Sequence, residues 1–426
     1  MIYNLRLIQE ELAQLSGKGR GRLVVLTGAR QTGKSTLAKA LHPDWGVVSL
    51  DSPLERSVYQ DYTPAQWIRQ YPRLVLDEVQ KAPELFDTMK ACYDREPDMR
   101  MLLLGSSQVL LMKGVRESLA GRAVIRELFP FTLGESLGLG NQPSLLQGLL
   151  ENPDRLSEHL SSLSPDTTLR PEYADSLAAW KHLALWGGMP PVHQSDWSDT
   201  DRGDWLHDYC LTYLQRDLGD LAQLQRLEPF VRAQKVAAHR TAQCVNYADM
   251  ARSADISPVT MKQFLRYLEL SYQVVLLPAW TKNPEKRLSK MPKLHFLDPG
   301  IRRAVISKRG ETDGKEFESL VFAEVFKCLK NARLPWEAAH LRTVDGREVD
   351  LLLEHETGFV ALECKQTRQV DSSDFRHLHD LESILNKPVL GKFVISMSPR
   401  ISVDLSGTCP VAALPAPLLF QPLSSQ

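Results

Sequence analysis

The segment Gly28-Ala29-Arg30-Gln31-Thr32-Gly33-Lys34-Ser35 constrains this chain more than any other. It fits G-x-x-x-x-G-K-[ST] and stands between an apolar run, Leu23–Thr27, and a stretch predicted helical from about Lys34 to Leu41. An apolar run ended by glycine suits a buried parallel strand. The two glycines let the backbone curl so that successive N–H groups face inward. The helix behind them favours an anion at its N-terminus. Lys34 adds a point charge for β- and γ-phosphates, and the Ser35 hydroxyl is a ligand for Mg2+. Gly28 through Thr36 are therefore the expected nucleotide-binding residues, with Lys34 also serving catalysis.

Further apolar runs at 47–50, 74–76, 101–104 and 123–128 are separated by helical stretches. Strands alternating with helices imply βαβ units in a parallel sheet, whose ligands bind beyond the carboxyl ends of the strands. Asp77 and Glu78 fall at such an end. Asp77 can hold the Mg2+ water shell, and Glu78 can orient and deprotonate an attacking water. A glutamate there favours ATP hydrolysis over the arrangement in which glutamine positions the water of a GTPase. Ser106, in Gly105-Ser106-Ser107-Gln108, either senses the γ-phosphate or caps a helix. Arg122 is either an arginine finger for a neighbouring subunit or a surface arginine in an ion pair.

Past Phe131 the pattern changes. Residues 132–175 are rich in Gly, Pro, Ser and Asn, and 173–237 read as mainly helical. Asn246 and Ser257 can cap two successive helices, and two strands follow. That order fits a winged helix-turn-helix with Lys262 and Arg266 on the outer face of its second helix. Residues 281–303 carry seven Lys or Arg, at 282, 286, 287, 290, 293, 302 and 303, against two acids. Such a stretch either contacts DNA phosphates, Lys286, Arg287 and Lys290 foremost, or is a solvated loop. Farther on, Asp350 is followed after twelve residues by Glu363-Cys364-Lys365. Two antiparallel strands would bring Asp350 and Glu363 together to bind Mg2+, with Lys365 beside the metal and Glu318 a further carboxylate from the preceding helix. The plainer alternative is a Glu363–Lys365 ion pair on a strand. This αβββαβ layout resembles the PD-(D/E)XK restriction-endonuclease-like fold. The Pro/Leu-rich stretch 410–422 is expected to lie extended against the surface.

A formal net charge of −1 announces neither nucleic acid nor membrane, so any basic surface must be local. Six scattered cysteines without a Cys-x-x-Cys pair suggest no zinc knuckle or disulfide framework and a reducing, cytoplasmic setting. No run of about eighteen apolar residues occurs, so no membrane span is expected.

The loop G-A-R-Q-T-G-K-S, the Leu76-Asp77-Glu78 strand end, Gly105-Ser106-Ser107 and Leu119-Ala120-Gly121-Arg122 resemble the AAA-type ATPases of bacteria and archaea. Also similar are Gly187-Gly188-Met189-Pro190, Tyr213-Leu214-Gln215-Arg216-Asp217, Leu297-Asp298-Pro299-Gly300 and Glu348-Val349-Asp350. One departure is Cys364, where a small aliphatic residue is usual. The resemblance implies an ASCE-class ATPase core, a winged helix and a nuclease-like module. The expected architecture is an α/β P-loop NTPase sheet of AAA/ASCE type over 1–135, a helical lid or connector over 136–237, a winged helix-turn-helix over 238–310 and a restriction-endonuclease-like α/β domain over 311–426. The expected function is Mg2+-dependent ATP hydrolysis coupled to DNA binding or remodelling, in a homo-oligomer, with repair, recombination or defence as settings. The alternatives are an ATP switch that binds a protein partner and an ATP-gated nuclease.

Overall fold

The computed structural model describes residues 4–16, 21–106, 108–163, 166–167, 171–214, 227–287, 289–343 and 346–422. Ser107 and residues 215–217 of the expected motifs lie outside them.

Five short apolar runs form one parallel sheet: β1 (Leu23–Thr27), β2 (Gly46–Ser49), β3 (Arg73–Asp77), β4 (Arg100–Gly105) and β5 (Val124–Glu127), in the order β2-β3-β4-β1-β5. Every residue of β1 is buried, as its unbroken apolar run requires. Helix Leu85–Arg95 buries Leu85, Phe86 and Met89 on one face of the sheet, in one core with Leu23, Leu74 and Leu103. Helices Gln9–Ser16 and Lys34–Leu41 cover the other face through Leu12, Leu37 and Ala38, with Ile8 from the turn before the first. Because β4 lies between β1 and β3, with Thr27 opposite Gly105 and Leu76 opposite Leu103, three carboxyl ends stand side by side.

Residues 136–237 divide between two cores. Leu145, Leu149, Trp180 and Leu183 share a core with the C-terminal sheet. Met189, Leu206 and Tyr209 share one with helices Tyr247–Ala254 and Pro258–Leu270. The divide is Gly187-Gly188. A Cβ on Gly187, whose φ is +77°, would meet Asp298 Oδ1 at 2.0 Å, and Gly188 N–H donates to Asp298 Oδ2 at 2.8 Å. Asp298 Oδ1 also accepts from Ile301 N at 2.9 Å, capping the next helix. Two motifs far apart in sequence thus form one joint.

Asn246 and Ser257 cap their helices, accepting from Asp249 N and Thr260 N. β6 (Gln243–Cys244), just before these helices, and β7 (Val274–Leu277) and β8 (Lys293–Phe296) after them form a small antiparallel sheet, in the order β6-β8-β7. The C-terminal sheet has six strands: β9 (Glu337–Arg342), β10 (Glu348–Glu354), β11 (Phe359–Lys365), β12 (Val389–Ser396), β13 (Ser402–Asp404) and β14 (Val411–Pro415). Their order is β13-β14-β12-β11-β10-β9, with helix Gly314–Asn331 packed on one face. Stretch 410–422 does not lie on the surface as expected. β14 runs inside this sheet, parallel to β12, and Ala412, Leu414 and Leu418 are buried. Its prolines sit where no ladder N–H is lost: Pro410 before the strand, Pro415 at its end.

Candidate functional site

The loop 28–35 joins β1 to helix Lys34–Leu41. Gly28 (φ +155°) and Gly33 (φ +91°) take backbone conformations that side chains resist, and a Cβ on Gly28 would stand 2.2 Å from Leu128 O. Gln31 also has a positive φ, +63°. Lys34 is buried, its ammonium donating to Gly28 O at 2.9 Å and Ala29 O at 2.7 Å, so it spans the loop's mouth. Thr32 Oγ1 closes the loop on Ala29 O at 2.9 Å.

Ser35 Oγ donates to Asp77 Oδ2 at 2.6 Å. The two groups expected to hold a metal therefore occupy one spot, across a sequence separation of 42 residues. Glu78 has φ +57°, uncommon for a residue with a side chain, and turns the chain sharply off β3. Ser106 Oγ, at the end of β4, donates to Glu78 Oε2 at 3.3 Å. Gln80, buried and not singled out by its sequence, donates to both the Glu78 carboxylate and Ser106 Oγ. Glu78 is thus held by a hydroxyl and an amide whose places come from strand order.

Two residues outside the loop, Arg6 and Tyr209, grip its backbone, and a third, Tyr272, holds the Thr27 hydroxyl just before it. Arg6 Nη1 donates to Thr32 O at 2.8 Å, Nη2 to Phe129 O at 2.5 Å and Nε to buried Glu135 at 3.0 Å. Tyr209 OH donates to Arg30 O at 3.0 Å, and Tyr272 OH to Thr27 Oγ1 at 3.3 Å. Beside Gly33 and Thr36 opens a cavity of about 430 Å3 lined also by Asn4, Arg6, Phe131, Pro190 and His193. Burial, then the neighbouring His182, pulls the His193 ring down to about 3, so it is neutral in ordinary buffer. A larger cavity, about 680 Å3, lies between Phe129, Tyr272 and Arg266, and no residue of the loop lines it.

Arg122 forks onto Asp94 of its own chain, at 2.8 and 3.0 Å. The basic stretch 281–303 is less open than its sequence suggests. Arg302 and Arg303 are buried against Glu316, Arg287 pairs with Glu354 at 2.8 Å, and Lys293 is buried. They are intramolecular partners because β8 and the helix after Asp298 turn inward, onto the C-terminal sheet. Lys282, Lys286 and Lys290 remain exposed, as do Lys262 and Arg266, the latter paired with Glu269.

In the C-terminal sheet, antiparallel β10 and β11 bring Asp350 Oδ2 to Cys364 N at 2.9 Å. Lys365 Nζ donates to Glu363 Oε1 at 2.7 Å, with His377 Nδ1 3.2 Å from the same oxygen. Burial, then the charge of Asp350, pushes Glu363 up to about 7. Glu318 and Asp350 do not meet Glu363 around an open centre. With Glu348 they converge instead on the Lys293 ammonium, at 2.7, 3.1 and 2.8 Å. Among the described residues, no group of three His, Cys, Asp or Glu is placed to hold a metal ion. No helix among them is long and apolar enough to cross a membrane.

Residues 20–137 match a family model described as an AAA domain. Over this stretch the chain is similar to AAA-type P-loop ATPase domains. Residues 177–312 and 313–415 of the chain match models described as Domain of unknown function (DUF8612) and Domain of unknown function (DUF4143). The uncharacterized proteins Mb2031c of Mycobacterium bovis and Rv2008c of Mycobacterium tuberculosis are each 28% identical over 360 residues, 82% of this chain and 71% of theirs. A Walker-type ATPase of Pyrococcus abyssi, 16% identical, overlaps 70% of this chain and 95% of its own at a TM-score of 0.40. The ATPase domain is joined to the C-terminal half at Gly188, whose carbonyl accepts from Phe131 N at 2.6 Å.

Proposed function

We propose that this chain binds ATP with Mg2+ at the loop Gly28–Thr36 and hydrolyses it, and that its C-terminal half reads the state of that loop. The observation that carries the reading is the 2.6 Å hydrogen bond between Ser35 and Asp77, with Glu78 one residue beyond it. Loop amides and Lys34 bind the phosphates; the nucleoside lies in the cavity beside Thr36, against Phe131 and His193. Mg2+, held by Ser35 and Asp77, would neutralise phosphate charge. Glu78 accepts a proton from the attacking water, while Ser106 and Gln80 fix its carboxylate. Tyr209 ties the loop to the core of helices Tyr247–Ala254 and Pro258–Leu270, and Tyr272 ties the end of β1, just before the loop, to Phe129 and Leu297, so a shift of the loop on nucleotide binding pulls on both.

The partner we propose is DNA, contacted by Lys262, Lys282, Lys286 and Lys290 on a winged-helix module. In a homo-oligomer, Arg122 exchanges Asp94 for a neighbour's γ-phosphate. Phosphate release is the test, with and without duplex, single-stranded and branched DNA at low salt. DNA-stimulated turnover that falls with salt supports the coupling. Nucleotide hydrolysis that no DNA form alters leaves a switch that binds a protein. A chain with no affinity for ATP at any Mg2+ concentration removes the reading altogether.

A further inference from the structure

Lys293 begins β8, in the small antiparallel sheet, yet its ammonium ends in the C-terminal domain. A β-bridge between Ala279 and His340 fixes the two sheets edge to edge, with Trp280 N donating to His340 O at 2.7 Å and His340 N to Pro278 O at 2.9 Å. β10 slips register against β9 between Val349 and Leu352, and strand alternation sets Glu348 and Asp350, two residues apart, on one face toward the same ammonium. Helix Gly314–Asn331 supplies Glu318 from above.

A lysine ammonium has three N–H donors. Here each has one carboxylate: Glu318 at 2.7 Å, Glu348 at 2.8 Å and Asp350 at 3.1 Å. The Lys293 side chain is 2% exposed. Burial alone would strip its proton, but the surrounding carboxylates overturn that and raise its pKa above the ordinary lysine value. Mg2+, Mn2+ or Ca2+ would need these same oxygens at about 2.0–2.6 Å from a common centre. Lys293 Nζ occupies that centre, and metal and ammonium exclude one another.

We infer that Lys293 is the built-in cation of the C-terminal carboxylate cluster, closing it to divalent metal while locking the small sheet to the large one. The cluster is therefore a latent metal site, opened by removing one side chain.

The test is calorimetric titration of MnCl2 into the nucleotide-free full-length chain. In wild type, Asp350→Asn leaves Mn2+ binding unchanged. Lys293→Met gains one Mn2+ site at least about tenfold tighter than any wild-type site outside the nucleotide loop, and the double change Lys293→Met/Asp350→Asn loses it. Lys293→Arg, which keeps a cation, gains nothing. A wild-type Mn2+ site abolished by Asp350→Asn overturns the inference, and that comparison stands even where Lys293→Met does not fold. A folded Lys293→Met chain without a new site overturns it equally. Neither outcome bears on ATP binding, which phosphate release measures separately.

Discussion

Two carboxylate sites stand on two sheets of this chain, and they are satisfied in opposite ways. At the ATPase sheet, Asp77 takes a hydroxyl from Ser35 beside a loop shaped for phosphate. At the C-terminal sheet, Asp350 takes an ammonium from Lys293, shared with Glu318 and Glu348. A neutral hydroxyl can turn its lone pair to a cation that arrives beside the carboxylate at little cost. An ammonium buried among three acids cannot leave without stranding them, which typically costs about 3–5 kcal/mol. The first carboxylate is satisfied by a neutral group, the second by a charge it cannot release.

Substitutions should therefore act on activity at the first site and on stability at the second. Lys34→Ala removes the loop's point charge and should lower ATP turnover by at least about 100-fold, with the denaturation midpoint little changed. Glu78→Gln should bind ATP and slow phosphate release by roughly 100- to 10,000-fold. A Glu78→Gln chain with near-normal turnover would move the general base elsewhere. At the second site, Asp350→Ala leaves the Cys364 amide and Lys293 short of an acceptor. It should cost about 3 kcal/mol in urea unfolding while turnover per folded molecule stays within about twofold. Lost turnover with unchanged stability would reverse the comparison.

The two sites also differed in how legible they were. The loop, its glycines and Asp77–Glu78 are local patterns, each readable within a few residues, and β1, β3 and the helix Lys34–Leu41 fall where periodicity puts them. Lys293 carries no such signature. It looked like one more charge in a basic stretch, because its partners lie 25 to 57 residues away on other elements. Arg6 and Gln80 were missed for the same reason: a single buried polar residue becomes meaningful only when strand order delivers its partner. Stretch 410–422 misled differently. Its prolines read as surface punctuation, yet they flank a strand that is itself an apolar run.

Stability should answer pH in opposite senses at the two regions. His193, beside the cavity at Gly33 and Thr36, is pulled from 6.5 to about 3, so its contribution is complete above pH 6.5 and is lost as the pH falls toward 3. The loss is up to about 1.4 kcal/mol per pH unit. Glu318 and Glu363 are pushed from 4.5 to about 8 and about 7. Their contribution is complete below pH 4.5 and is lost as the pH rises through 7 to 8. Urea unfolding at pH 5.5, 7 and 8.5 should show His193→Gln flattening the acid limb and Glu318→Gln the alkaline limb. If either variant flattens the other limb, the groups are wrongly assigned.

The smallest effects belong to the link between the regions. Tyr272→Phe deletes the hydroxyl that meets Thr27 Oγ1, and Tyr209→Phe the one that meets Arg30 O. Each should cost about 1 kcal/mol of stability, the usual net worth of one hydrogen bond. Neither hydroxyl touches the groups expected to do the chemistry, so single-turnover hydrolysis should stay close to wild type. ATP affinity should instead shift a few-fold, because the loop loses a restraint it must otherwise carry through binding. The double variant decides whether the tyrosines act as one brace. Additive shifts mean two independent anchors, whereas a double variant no worse than the worse single means that the loop and the end of β1 move as one body against both tyrosines.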